Sequence, residues 1–157
     1  MSLAAALLAC VDAQQHGDSC EIKSAEFATE YLYMSAGWVS QSPVLWSVRP
    51  QLASRRKQHG KWRVEKTTVG AKSFYRLWNH GAAAYLVNVA SKPAAKKTTG
   101  GNEDELLWKL EVQKDKSVTL QQNGQYLGAK GEKSGDERDV LITPRSNKST
   151  AKWVITC

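Results

Sequence analysis

The chain has 157 residues, the length of one compact domain. Hydrophobic residues make up 41% of it and charged residues 24%, a composition that argues against intrinsic disorder and against a membrane bundle. The 22 Lys and Arg outnumber the 15 Asp and Glu, and the resulting net charge of +7 favours anionic partners.

The N-terminal segment predicts a secretory signal peptide over residues 1–13. Residues 3–11 form an apolar run that is too short to cross a bilayer, and small residues follow it where signal peptidase cleaves. The usual basic start is missing, because residues 1–20 contain no Lys or Arg. The segment is therefore either a truncated signal peptide or an N-terminal helix. The signal-peptide interpretation predicts a secreted, extracellular protein without membrane insertion.

Residues 20–68 read as strands and loops. A Tyr31-Leu32 pair is followed by a segment over residues 46–50 that ends in proline. Trp62 lies in an alternating segment in which Lys61 and Arg63 point to the opposite side. We therefore expect Trp62 in the core and the two basic residues on the surface.

Residues 69–115 repeat this plan with differences. A turn is predicted at residues 79–81, and a Tyr85-Leu86 pair follows it. No proline-ended strand is predicted here, because Lys92-Pro93 is out of register with the other two thirds. Residues 106–112 alternate as a half-buried strand does. Its inward-facing residues would be Leu106, Trp108, Leu110 and Val112.

Residues 116–157 contain the strongest hairpin signal. Val118 and Leu120 alternate before Asn123-Gly124, a pair that favours a two-residue turn between strands. A Tyr126-Leu127 pair and a proline-ended segment over residues 140–144 follow.

The three thirds are copies of one unit. Trp62, Trp108 and Trp153 are 46 and 45 residues apart, and a Tyr-Leu pair precedes each of them. About four strands per unit predict about twelve strands in all. Propellers usually carry four or more blades, so three units favour a closed barrel with capping hairpins, in which each unit supplies a third of the core. The predicted units are residues 20–68, 69–115 and 116–157.

These motifs resemble those of the β-trefoil proteins, in particular the ricin-type lectin family. The strand at each repeated tryptophan resembles the Gln-x-Trp strand of that family, and residues 123–129 are similar to the Gly-x-Tyr-Leu strand of ricin-type and fascin-type trefoils. The resemblance covers residues 20–157. It implies an all-β, single-domain β-trefoil that binds carbohydrate and is not an enzyme.

The chain departs from the ricin-type pattern in two ways. The positions two residues before the tryptophans hold Gly60, Leu106 and Ala151 rather than Gln. In the ricin-type family, an Asp near the start of each unit binds the sugar hydroxyls. This Asp is missing from each unit of the present chain.

Cysteine usage agrees with secretion. Without the signal peptide two cysteines remain, Cys20 and Cys157, and an even number in a secreted chain suggests a disulfide. The first and last strands of a trefoil lie side by side, so the resemblance implies a Cys20–Cys157 bond. Asn147 begins an N-glycosylation sequon, which would be occupied in a secreted protein.

Aromatic and amide residues in loops are the candidate sugar contacts. An indole stacks on the apolar face of a pyranose while an amide bonds its hydroxyls. Such rings can equally pack under their own loops. The candidates are Trp38, Trp78, Asn79, His80 and Asn123.

Arg55, Arg56 and Lys57 form the densest basic cluster. Such a cluster suits acidic or sulfated glycans, including glycosaminoglycans, or is a solvated surface. Two other functions stay open. A basic loop could block a trypsin-like protease, as in trefoil protease inhibitors, or the protein could be a heparin-binding, growth-factor-like ligand for a receptor.

Catalytic and nucleic-acid signatures are absent from the sequence. It contains neither His-Glu-x-x-His nor Gly-x-Ser-x-Gly, and no Cys and His spacing typical of zinc. No nucleic-acid recognition motif is present. We expect a monomeric binding protein with no cofactor and no metal.

Overall fold

The computed structural model describes residues 16–35, 43–47, 57–97, 103–144 and 149–157. These residues form twelve strands and three short 3₁₀ turns. The predicted signal peptide lies outside them. The turns are Lys57–Gly60, Glu103–Leu106 and Ser149–Ala151.

The strands fall into three units of four. The first unit contains β1 (Gly17–Ser24), β2 (Glu30–Met34), β3 (Pro43–Ser47) and β4 (Trp62–Val69). The second contains β5 (Lys72–Asn79), β6 (Ala84–Val89), β7 (Lys92–Lys96) and β8 (Lys109–Val112). The third contains β9 (Val118–Gln122), β10 (Gln125–Ala129), β11 (Glu137–Thr143) and β12 (Trp153–Thr156).

The first and last strands of each unit close a barrel. Antiparallel pairings run from β1 to β4, β5, then β8, β9 and β12, and return to β1. The step from β5 to β8 is a bridge between Tyr75 and Trp108, whose backbone groups exchange two hydrogen bonds of 2.8 Å. The middle strands pair as the hairpins β2–β3, β6–β7 and β10–β11, which form the cap. This arrangement confirms the predicted β-trefoil.

One hydrogen bond recurs in every unit and explains the repeated motifs. The indole N–H of Trp62 donates to the Leu32 carbonyl at 2.9 Å, where Leu32 is the leucine of the unit's Tyr-Leu pair. Trp108 bonds to Leu86 at 2.8 Å and Trp153 to Leu127 at 2.9 Å in the same way. All three indoles are fully buried in one core cluster. Each ring therefore fills the barrel and fastens a capping hairpin to it.

Two expectations for the second unit are wrong. Leu106 is buried but belongs to a 3₁₀ turn, and Val112 is 47% exposed at the end of β8. As predicted, none of the four described strands of this unit ends in proline; Pro93 is the second residue of the third strand, β7, which pairs with β6. β7 is the last strand of its sheet, where a missing backbone N–H is tolerated.

The disulfide expected from the resemblance is present. Cys20 on β1 is bonded to Cys157, which follows β12. β1 pairs with β12 from Glu21 to Ser24. The first and last strands are therefore joined both by strand pairing and by the disulfide.

Among the described residues, no helix has the length and apolarity required to cross a membrane.

Candidate functional site

The three units place three side chains at the same position, between the cap and the barrel. The first is the residue directly after each Tyr-Leu pair, on the second strand of the unit. The second is the residue that pairs, on the neighbouring strand of the hairpin, with the tyrosine of the Tyr-Leu pair. The third lies in the 3₁₀ turn, three residues before the repeated tryptophan.

In the first unit this position is filled by aromatic rings. Tyr33 is 4% exposed, and its ring centroid lies 5.4 Å from that of Trp46 and 5.3 Å from that of His59. The Nδ1 atom of His59 is 3.0 Å from the Met34 carbonyl oxygen, which holds the imidazole in place. No room is left between these three side chains for a ligand that stacks on them.

In the second unit an aliphatic side chain and an ion pair fill the position. Val87 is 2% exposed and packs in a small cluster with Tyr85 and Leu106. Lys96 and Glu105 are the other two equivalent residues, and they form a salt bridge with each other.

In the third unit the same position is occupied by smaller residues. They are Gly128, Thr143 and Thr150. A methyl carbon added to Gly128 would lie 3.3 Å from Thr143 Cγ2 and 3.6 Å from the Thr150 carbonyl oxygen. A side chain as large as Tyr33 or Val87 would therefore press against Thr143 and Thr150.

A cavity of about 310 Å³, which we call the third-unit cavity, lies at this position. Its volume is at the lower end of the range typical of small-ligand sites. Its lining residues are Ala129, Lys130, Gly131, Leu141, Thr143 and Thr150.

The lining combines apolar and polar groups. Ala129 and Leu141 contribute an apolar wall, while Thr143 and Thr150 carry hydroxyls that can donate and accept. The ammonium of Lys130 is exposed and forms no ion pair with any other described residue. Such a lining suits a small ligand that has hydroxyls, an apolar face and a negative group.

Trp78, a predicted sugar contact, lies elsewhere, on the outer face of β5. Its ring is half-buried and meets Tyr85 edge-on, with ring centroids 4.8 Å apart. The Arg63 guanidinium lies over the indole, 5.4 Å from its centroid, and binds Glu65 at 2.5 Å. Burial lowers the pKa of Arg63, but the bonds to Glu65 and Tyr85 outweigh it and raise the pKa above its ordinary value. The indole is thus already covered by partners within the chain.

Asn79 and His80, also predicted contacts, have structural partners. Asn79 is fully buried; its amide donates to the His59 carbonyl at 2.8 Å and accepts from the Ala82 amide at 2.9 Å. The Nε2 atom of His80 lies 2.6 Å from the Asp18 carbonyl oxygen. Asn79 therefore has no free surface to offer a ligand.

Asn123, the fourth described candidate, is exposed in the turn between β9 and β10 with a φ of 54°. Its amide donates to the Asn88 carbonyl at 3.4 Å. Asn88 in turn donates its side-chain amide to the Gln122 carbonyl at 3.1 Å. These amides fasten the β6–β7 hairpin to the third unit, and they lie apart from Trp78, which packs on the opposite face of β6.

The remaining candidates are mostly outside the described residues. Trp38, Arg55, Arg56 and the sequon residue Asn147 all fall there. Lys57 is described, as an exposed residue at the start of the first 3₁₀ turn. Within the part of the chain that the structure describes, no three His, Cys, Asp or Glu side chains are grouped so as to hold a metal ion.

The sequence is not matched by any protein-family model or by any curated protein. Solved structures match it over most of its length. The designed three-fold symmetric protein ThreeFoil has a TM-score of 0.70 at 14% identity, with 90% of this chain and 99% of that chain covered.

Two saccharide-bound structures are similar as well. SeviL bound to asialo-GM1 saccharide has a TM-score of 0.65 at 14% identity, covering 88% of this chain and 95% of that chain. The Polyporus squamosus lectin, bound to a Neu5Ac-containing epitope, has a TM-score of 0.65 at 20% identity, covering 90% of this chain and 49% of that chain. At these identities the likeness establishes a common fold.

Proposed function

We propose that this protein binds carbohydrate, without catalysis, in the third-unit cavity. The observation that carries the proposal is that the position filled by Tyr33 in the first unit and by Val87 in the second borders a cavity in the third, where the equivalent residues Thr143 and Thr150 line it. A cavity with one apolar wall and two hydroxyls matches a sugar ring, which has an apolar face and a polar edge.

The similar structures support the ligand class by analogy of fold. SeviL and the Polyporus squamosus lectin are both named with a bound saccharide. One fold hosts many functions, so the proposal depends on the cavity and not on these neighbours.

The charge of the cavity favours acidic or sulfated glycans. Among the described residues that line the cavity, Lys130 is the only charged one. No Asp or Glu is among the described residues that line it. An ammonium with no opposing carboxylate in the lining attracts a sulfate or carboxylate group, and the attraction weakens as salt screens it.

A glycan array read at low and at physiological salt tests the ligand class. We expect binding to sulfated or uronic-acid glycans that weakens at the higher salt. Binding to no glycan at either salt would refute the proposal, and binding to neutral glycans alone would remove the acidic preference.

Three variants test the location. Gly128→Val should abolish binding, because its side chain would press on Thr143, Leu141 and Thr150, which line the cavity. Thr150→Val should weaken binding by removing one hydroxyl while keeping the volume of the side chain. Lys130→Ala should weaken binding and reduce its salt dependence. Lys114→Ala, a change at another exposed lysine, is the matched control and should bind as wild type. Circular dichroism must show the same fold in all four.

We also propose that the protein works outside the cell. The Cys20–Cys157 bond supports this, since disulfides persist in oxidising compartments. Mass spectrometry of the native protein under non-reducing conditions should find both cysteines oxidised, and free thiols at both positions would contradict it.

A further inference from the structure

Arg138 links the first unit to the loop that borders the third-unit cavity. Arg138 lies on β11 and Glu30 on β2, and they are 6% and 3% exposed. The Nε atom of Arg138 donates to Glu30 Oε2 at 2.7 Å and its Nη2 atom to Glu30 Oε1 at 3.3 Å. The guanidinium thus donates two hydrogen bonds to one carboxylate, a geometry that fixes its plane.

The third nitrogen of the same guanidinium faces the cavity loop. Nη1 donates to the Lys130 carbonyl at 2.9 Å and to the Gly131 carbonyl at 2.7 Å. Both residues line the third-unit cavity. The ring of Phe27, from the first unit, lies 3.4 Å from the Arg138 Cζ atom and covers the face of the guanidinium. Each nitrogen of this side chain has a partner, and two of those partners are cavity-loop carbonyls.

We propose that Arg138 is a positioning residue of the third-unit cavity and that Glu30 acts through it. The ion pair fixes the backbone at Lys130. It thereby sets the position from which the Lys130 side chain extends its ammonium towards the anionic group of the glycan. This inference rests on the proposed function and deepens it, because it assigns part of the third unit's affinity to a residue of the first unit.

The physical reason is preorganisation. A loop at the edge of a binding site (here called the rim) loses less conformational freedom on binding when it already has its bound conformation than when the ligand must order it. Residues 130–136 connect β10 to β11 and are mostly exposed, so the two carbonyl bonds to Arg138 are strong restraints at the start of this loop.

Arg138→Lys is the informative variant. A lysine can still pair with Glu30, so the buried carboxylate keeps a counter-charge, but one ammonium cannot satisfy Glu30 and both carbonyls in the geometry of a guanidinium. Lys133→Ala is the matched control. It removes the other cation near Glu30, at 3.4 Å, but Lys133 does not line the cavity.

Affinity for a sulfated disaccharide prepared from heparin is measured by calorimetry for wild type and both variants, with thermal unfolding recorded alongside. We expect the Kd to rise about tenfold in Arg138→Lys at an unfolding temperature close to that of Lys133→Ala, and to stay unchanged in Lys133→Ala. An unchanged Kd in Arg138→Lys, under conditions where Lys130→Ala binds more weakly, would overturn the inference and leave the proposed function intact.

Hydrogen exchange without ligand supplies a readout that does not depend on glycan binding. The Lys130 amide donates to the Asp139 carbonyl at 2.8 Å, and its exchange reports on the rim. We expect faster exchange at Lys130 in Arg138→Lys than in Lys133→Ala, and equal exchange would refute the positioning role. If wild type binds neither the disaccharide nor any arrayed glycan, the proposed function fails, whatever the exchange shows.

Discussion

Trp108→Phe tests whether the repeated tryptophans fasten the cap to the barrel. Trp108 is fully buried and donates its indole N–H to the Leu86 carbonyl at 2.8 Å. Phenylalanine keeps a ring at this place but removes the donor and part of the ring volume. Loss of the donor costs about 1–3 kcal/mol, according to how fully the carbonyl is left unsatisfied. The smaller ring costs about 1–2 kcal/mol more in lost burial and in the space left behind.

We therefore expect the free energy of unfolding to fall by about 2–5 kcal/mol. Urea unfolding followed by far-UV circular dichroism measures it, with the disulfide intact and the slope of the transition unchanged. Trp78→Phe is the matched control, because Trp78 is half-buried and its indole N–H donates to no other described residue. It should cost less than about 1 kcal/mol. Equal losses in the two variants would show that the indole bond contributes nothing and would refute the reasoning.

Three further substitutions follow from single contacts. Burial raises the pKa of Glu30, but Arg138 and Lys133 lower it more, so its pKa lies below the ordinary 4.5. Its stabilisation is present above pH 4.5 and is lost as the pH falls through the lowered pKa, so Glu30→Gln should flatten the acid dependence of the urea midpoint, and identical profiles would contradict this. Gly81→Ala should destabilise the fold by more than about 1 kcal/mol in urea, because its methyl carbon would lie 2.5 Å from His59 Cγ; a neutral effect would show that the turn can move. Cys157→Ser should cost about 2–5 kcal/mol by the same assay, and no loss would mean that the disulfide adds nothing to the sheet pairing.

The three-fold architecture could be predicted because the core repeats the same chemistry three times. Trp62, Trp108 and Trp153 each need a buried place and an acceptor, and the leucine of a Tyr-Leu pair supplies that acceptor in every unit. Because each tryptophan needs the same surroundings, the spacing between tryptophan and Tyr-Leu pair is similar in the three units. The repeat could therefore be recognised in a single sequence.

The errors in the second unit have local causes. Alternation alone places Leu106 and Val112 on one face of a strand, but the chain enters that strand through a 3₁₀ turn and leaves it at a hairpin end open to solvent. Pro93 lies out of register with the other two units because β7 is an outer strand, which does not need that backbone N–H. Such effects depend on the position of a segment in the sheet, which a single strand's pattern does not carry.

The cavity could not be predicted from residue types, because its residues matter by being small. Neither Gly128 nor Thr150 is a residue type that indicates a binding site. Their small size is informative only in comparison with Tyr33 and His59, the larger residues at the equivalent places in the first unit. Aligning the Tyr-Leu pairs gives Tyr, Val and Gly as the next residue, and this was the available signal. The search for aromatic and amide residues found Trp78 instead, whose ring is occupied by its neighbours.

The filling of two equivalent positions has a consequence for how the protein would hold a cell surface. Lectins with several sites gain avidity, since each bound site raises the effective concentration of the next glycan. Of the three equivalent positions, the first and second are filled by Tyr33 and Val87, and the third borders the cavity. A single copy would then be monovalent there: it would coat glycans without cross-linking the cells that carry them, and would leave the surface in one step.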